Sequence, residues 1–449
     1  MGIINLINDL LWTYILVALL LGCAVWFTLR TRFVQFRMIK EMVRLLGDSG
    51  GKGDAKEKHI SSFQAFAISI ASRVGTGNLA GVATAIAVGG PGAVFWMWVI
   101  ALLGASSSFV ESTLAQLYKI KGKDSFIGGP AYYMRKGLKQ PWMGALFAVL
   151  ITITFGFAFN SVQSNTLCAA FEGAFGFDHA VVGGIITALT LTIIFGGVQR
   201  IAKVSSIIVP IMALGYIALA LIIVLLNIKE LPGVLALIVG HAFGWEQALG
   251  GGVGMALMQG IKRGLFSNEA GMGSTPHAHA MAKVSCPHEQ GVVAMIGVFI
   301  DTFVVLTMTA LVVISTLYAG NGILASGAAE GVSKTNMAQL AFSSIMGNTA
   351  GSLFVAICLM FFAFSTILGW NFFGRINVEY LFGKKAVPVY SIIAVALIFL
   401  GSCVSNDLAW ELSDMFNQLM VIPNFLAIVA LGGLVAAAAR KGSRETLKK

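Results

Sequence analysis

The sequence predicts an all-α integral membrane protein with eleven transmembrane helices: one extra N-terminal helix, then two five-helix units of opposite orientation. Composition is the first reason. Of 449 residues, 57% are hydrophobic and 11% charged, against about 25% charged in a soluble domain. The second is a series of apolar runs at roughly 10–29, 63–89, 92–117, 143–170, 180–198, 204–227, 247–280, 291–317, 350–373, 387–403 and 415–439. Several approach or exceed the ~20 residues that cross a bilayer. The third is the placement of the 30 Lys and Arg residues. Segments 30–60, 118–140, 199–204, 281–290, 374–386 and 440–449 hold 25 of them, and the alternate loops hold only Lys229 and Lys334. Arg73, Lys262 and Arg263 fall inside runs. Cytoplasmic loops collect basic residues, so a multi-pass plasma-membrane protein is expected, N-terminus outside and C-terminus in the cytoplasm. The net charge of +10 is then a topology signal rather than a nucleic-acid surface.

Residues 1–30 carry the first run. No basic residue precedes it and no small-residue cleavage site accompanies it, so it is expected to be a retained span and not a signal peptide. Residues 31–60 read as a cytoplasmic, partly amphipathic helix and a flexible Gly/Lys turn. There, Phe33, Phe36, Met38, Ile39 and Met42 suit either a helix lying on the membrane surface or an ordinary connector. Residues 61–228 and 229–439 form the two five-helix units, and 440–449 a basic cytoplasmic tail. Five crossings separate the starts of the units, so homologous units would be inverted copies. No residue-level repeat links them; the symmetry is topological.

The first run of each unit is interrupted. In the first, Ala71-Ser72-Arg73-Val74-Gly75-Thr76-Gly77-Asn78-Leu79-Ala80-Gly81 puts glycines, hydroxyls, an amide and a cation where leucines would be cheapest. Each glycine weakens a helix by about 1 kcal/mol relative to alanine. Non-helical backbone at membrane depth must bond to protein, water or solute. A broken helix lining a site is one reading; close helix packing by small residues is the other. In the second unit, the stretch from Gly260 to Gly273 contains Lys262, Arg263 and Glu269 among glycines. Interrupted spans at matching positions of two halves point to a transporter binding site. Charges at that depth are costly unless paired or wet. Arg73 with Asp301 or Glu269 would make an internal ion pair of a gate. Alternatively, Lys262, Arg263, Glu111 and Glu269 reach the cytoplasmic interface by snorkelling.

Two later runs carry further candidates. The fourth holds Phe157, Asn160, Gln163, Ser164 and Asn165, with 157, 160 and 164 on one face; amides there serve as interhelical glue or as site-lining donors. In the ninth, Ser365 and Thr366 offer hard oxygens for a small cation or bond back to their own helix. Trp370, one turn beyond Thr366, walls a small pocket or anchors at the interface. Enzymatic chemistry has little support. No HExxH, GxSxG or paired-Asp motif lies in the runs, the five cysteines form no CxxC pair, and His277, His279 and His288 make a sparse metal set. No cofactor is expected.

With these residues in hand, the chain resembles the alanine or glycine:cation symporter family, the sodium:alanine symporters. The strongest match is Gly89-Gly90-Pro91-Gly92-Ala93-Val94-Phe95-Trp96-Met97-Trp98-Val99-Ile100-Ala101-Leu102-Leu103-Gly104, supported by Val74-Gly75-Thr76-Gly77-Asn78, by 264–273 and by Phe364-Ser365-Thr366-Ile367-Leu368-Gly369-Trp370. The resemblance implies the leucine-transporter-type 5+5 inverted repeat of the amino acid–polyamine–organocation superfamily. It also implies cotransport of L-alanine, D-alanine or glycine with sodium across the lipid bilayer. By that likeness Gly75, Thr76 and Gly77 present N–H groups to the substrate carboxylate, and Asn78 offers oxygen to a nearby sodium. A second sodium sits among the Ala71 and Val74 carbonyls, Phe362, Ser365 and Thr366. Arg73 departs from the pattern, where a small residue precedes the Val-Gly pair. Gln163 completes the substrate-binding set, carbonyls from Met258 to Gly264, with Gly260 among them, suit the ammonium, and Phe266 and Trp370 limit side-chain volume. A channel without ion coupling and a proton-coupled small amino acid symporter are the alternatives.

Overall fold

The computed structural model describes residues 2–48, 60–122, 125–244, 252–319, 322–324 and 336–446. The expected Gly/Lys turn at 49–59, Lys334, the start of the seventh run and the last three residues of the basic tail lie outside the described residues. The rest is helical almost throughout. Among the described residues, seven helices are long and apolar enough to cross a membrane: Gly92–Tyr118, Pro141–Phe175, Gly197–Leu226, Pro287–Tyr318, Asn348–Phe382, Lys384–Cys403 and Asn406–Ala437.

The all-α expectation needs one small correction. Ile120–Lys121 pairs antiparallel with Phe126–Ile127 in a two-stranded hairpin. Two short apolar helices, Leu231–Ala242 and Met337–Met346, also lie between the predicted runs. Leu231–Ala242 packs on the start of Gly92–Tyr118. A Cβ on Gly92 would fall 2.5 Å from the Ala242 nitrogen, so this glycine is what lets two backbones meet. The connector forms two helices, Val34–Arg37 and Ile39–Asp48. Val34, Met38, Met42 and Leu45 face the protein while Phe33, Phe36, Ile39 and Val43 are exposed. Met38 and Met42 are therefore packing residues, and Phe33, Phe36 and Ile39 stay exposed.

Ser62–Arg73 begins at a capping box, with Ser61 accepting from the Gln64 N–H and Gln64 accepting from the Ser61 N–H; such a cap contributes about 1 kcal/mol. The helix lies against Gly197–Leu226 and Asn348–Phe382. Gly252–Asn268 lies against Gly92–Tyr118, at a spacing set by small residues. A Cβ on Gly260 would be 2.5 Å from the Ala93 carbonyl oxygen, and one on Gly264 2.9 Å from Ile100. Close approach of this kind substitutes for the hydrophobic effect inside lipid. The two interrupted helices thus meet in the middle of the molecule, enclosed by their neighbours.

Candidate functional site

The first interruption is real and short. Ser62–Arg73 stops where Val74 turns extended, at φ −80 and ψ 91, and helix resumes at Gly77–Gly89. A helix that stops leaves carbonyls without intrahelical donors. Here the Thr366 hydroxyl lies 2.8 Å from the Ala71 oxygen and 3.1 Å from the Val74 oxygen. One hydrogen serves both. One residue earlier, Ser365 Oγ donates to the Phe362 oxygen at 3.0 Å. Two released carbonyls thus meet the Thr366 hydroxyl, and the adjacent Ser365 hydroxyl bonds within its own helix; all of these are uncharged hard oxygens.

Beyond that cluster the freed N–H groups point at amides. The Gly75 N–H donates to Asn78 Oδ1 at 3.0 Å and the Thr76 N–H to Gln163 Oε1 at 3.1 Å. Gln163 Nε2 and Thr76 Oγ1 are buried with no hydrogen-bond partner. Unpaired buried polar atoms cost roughly 1–3 kcal/mol each, so this is where a polar solute gains most. Asn78 Nδ2 donates to Asp301 Oδ1 at 2.7 Å, and Asp301 Oδ2 accepts from Ser267 at 2.9 Å.

The second interruption follows Gly252–Asn268 and precedes Pro276–Met281. Glu269, Gly271 and Gly273 all have positive φ. The loop is held by Glu111 from Gly92–Tyr118. Its carboxylate accepts the Gly271 and Gly273 N–H groups at 3.1 and 2.9 Å and the Asn424 amide at 3.1 Å. Glu269 ties both interruptions to the ninth-run helix. It accepts from Ser274 at 2.7 Å, Ser72 at 3.1 Å and the Trp370 indole at 2.7 Å. Aromatic rings close over this ground. Phe159 lies 4.8 Å from Phe266 and 4.9 Å from Trp370, and Phe266 lies 5.0 Å from Trp410, centroid to centroid.

The chain has known relatives. The family model described as "Sodium:alanine symporter family" matches residues 1–448. The chain belongs to the sodium:alanine symporter family. It is therefore a transporter and not an enzyme. It is 50% identical over 445 residues to the "Probable sodium/glutamine symporter GlnT" of Bacillus subtilis, covering 99% of this chain and 91% of that one. It is 37% identical over 442 residues to the "Sodium/alanine symporter AgcS" of Methanococcus maripaludis, covering 97% and 96%. Among solved structures, MhsT in complex with L-phenylalanine superposes with a TM-score of 0.60 at 16% identity, over 86% of this chain and 99% of that one. The transporter shares the leucine-transporter-type fold of that protein.

Several sequence expectations need correction in the transporter. Met258 and Gly260 do not belong to the second interruption. They sit inside the unbroken helix Gly252–Asn268, where helix bonds occupy their carbonyls; the released ones are at its end, from Phe266 to Asn268. Arg73 pairs with neither Asp301 nor Glu269. Its guanidinium donates to the Asn268 and Ala294 oxygens and to Ser69, Ser108 and Thr275. It cross-links the two interruptions through neutral acceptors. Lys262 and Arg263 do not snorkel, for both meet Asp414, at 2.5 and 3.3 Å. Trp370 is 1% exposed and is no interfacial anchor. Asn165 is glue, donating to the Val404 oxygen at 2.6 Å. His277 and His279 bond to different partners, and the described residues contain no group of three metal-ligating side chains. The sequence reading missed Asp414, and missed Glu111 as the clamp on Gly271 and Gly273. A lone acid in an apolar run was the available signal for Glu111.

Proposed function

We propose that this transporter is a sodium-coupled symporter of alanine or glycine working by alternating access. The observation that carries the reading is the first interruption, where an uncharged oxygen cluster adjoins two donor-bearing peptide groups and two unpartnered polar atoms. Ala71, Val74, Phe362, Ser365 and Thr366 would share one sodium. Gly75, Thr76, Gly77 and Gln163 would take the substrate carboxylate, helped by the positive end of the half-helix that follows. The end of Gly252–Asn268 would take the ammonium on its Phe266 and Ser267 carbonyls. Asn78 and Asp301 would hold a second cation beside the carboxylate. The aromatic closure by Phe159, Phe266 and Trp370 favours a small side chain over the glutamine in one relative's name.

In this reading the chain crosses the membrane eleven times, with the N-terminus outside and the C-terminus inside. Residues 1–30 add a helix to two inverted five-helix units, 61–228 and 229–439. The 25-to-2 distribution of basic residues supports the orientation. Ion and substrate would both bear on residues 71–78, so neither binds fully without the other; this is coupling in the thermodynamic sense. A proton-coupled symporter is the second reading. Asp301 favours it, being buried and bonded to Asn78, Ser267 and Thr302 but to no basic side chain.

The test is uptake of labelled alanine into proteoliposomes under sodium and pH gradients imposed separately, with glycine, D-alanine and glutamine as competitors. Uptake against a gradient is expected with sodium alone, competed by glycine and weakly by glutamine. Uptake driven by the pH gradient alone would establish the second reading instead.

A further inference from the structure

The N-terminal helix is bonded to a polar cluster beside the aromatic cover of the site. Asn8 is 3% exposed. Its Nδ2 donates to Glu411 Oε2 at 2.5 Å and to the Glu411 carbonyl at 3.0 Å. Its Oδ1 accepts from Gln418 Nε2 at 2.8 Å. One turn on, the helix opens into a π-helical turn, Leu11–Leu16, and Trp12, 2% exposed, turns its ring toward Lys262, whose Nζ lies 5.9 Å from the centroid. Lys262 meets Asp414 at 2.5 Å, and Arg263 meets the same carboxylate at 3.3 Å while stacking 4.4 Å over Trp410. Trp410 packs on Phe266. The Phe266 ring ends 3.1 Å from where a Gly77 Cβ would stand. An unbroken line of contacts therefore joins residues 8 and 12 to the first interruption.

Resting on the orientation and site given above, we propose that Asn8 and Trp12 are positioning residues of the outer gate. They hold Glu411, Gln418 and Lys262 so that the Lys262/Arg263–Asp414 cluster stays closed over the aromatic cover. The joint has the character of one that opens. Trp12 Nε1, Arg263 Nε, Asn417 Oδ1 and Gln418 Oε1 are all buried without a hydrogen-bond partner. Buried polar groups are normally satisfied, and these four would regain partners from water when the two helices part. A permanent scaffold contact has no such alternative state. Loosening the joint would then weaken substrate retention by lowering the population of the closed form.

The experiment compares the full-length parent with Trp12→Leu, Asn8→Leu, Lys262→Met and the ring-retaining Trp12→Phe. Alanine uptake is read in proteoliposomes, and amide hydrogen exchange in nanodiscs. Both leucine variants and Lys262→Met are expected to raise the KM for alanine about 2- to 10-fold, the scale of losing one partly desolvated cation–π or hydrogen-bond contact. Exchange should quicken across 252–268 and 406–414 but not across Pro141–Phe175. Trp12→Phe should behave as the parent, and Trp12→Leu with Lys262→Met should go no further than Lys262→Met alone, because Trp12 acts through its contact with Lys262. Parental KM and parental exchange in Trp12→Leu and Asn8→Leu would overturn the proposal. If a leucine variant fails to insert, Lys262→Met decides the matter alone, and parental behaviour there would equally overturn it. If the parent itself takes up no alanine under a sodium gradient, the functional reading fails while the exchange difference still decides the gate.

Discussion

Gly75→Ala is expected to cut alanine uptake by about 10- to 100-fold, the equivalent of the 1–3 kcal/mol that overpacking a filled site costs. The added methyl would stand 2.6 Å from Thr366 Oγ1 and 3.1 Å from Gln163 Nε2. Neither neighbour is free to give way. Thr366 is held by the Ala71 and Val74 carbonyls, and Gln163 by the Thr76 N–H. Gly75 does not have positive φ, so alanine suits the backbone and the effect is one of space within the site. The protein should remain folded, with a melting temperature in detergent a few degrees below that of the parent. Parental uptake by Gly75→Ala would remove the first interruption from the transport path.

Arg73→Met should act on the whole molecule. Arg73 is 2% exposed, and its donors hold the Asn268 carbonyl at 2.8 Å and Thr275 at 3.1 Å, on both sides of the second interruption. It also holds Ser108 and the Ala294 carbonyl on two flanking helices. It lies within electrostatic reach of Glu269, Asp301 and Glu111. Methionine fills much of the volume but leaves the carbonyls unpaired and the three acids without that charge. Stranding buried hydrogen-bond acceptors costs about 1–3 kcal/mol each. The expected result is a melting temperature many degrees lower and loss of sodium-dependent uptake. Arg73→Lys should recover only part, because an ammonium cannot reproduce a planar fork of five donors. A parental melting curve for Arg73→Met would contradict the cross-linking role.

The first interruption was legible because two glycines and an asparagine inside an apolar run have few other uses. Its partners were legible too. Ser365 and Thr366 are adjacent hydroxyls in a run that otherwise has little polar character, and the structure sets Thr366 at the released carbonyls while Ser365 bonds back to its own helix. The second interruption was displaced by several residues in the sequence reading. Gly260 and Gly264 look like helix breakers in one dimension, whereas in three they are where Gly92–Tyr118 approaches. Composition cannot separate these two uses of glycine. Charge partners were hidden for a related reason. Arg73 was matched to acids because acids are its usual company, yet carbonyls exposed by a broken helix serve as well. Asp414 is about 150 residues from Arg263, and nothing in the spacing joins them. The hairpin at 120–127 is two residues per strand, too short for a period-2 pattern to register.

The central claim is that a small zwitterion and an alkali ion occupy one shared site at the first interruption. Equilibrium binding of labelled alanine to the purified protein, measured in sodium and then in choline at equal ionic strength, tests it most directly. Saturable binding in sodium that falls at least tenfold in affinity in choline, and likewise in sodium when Thr366 is replaced by alanine, is the predicted result. Equal affinity in the two salts would contradict the claim.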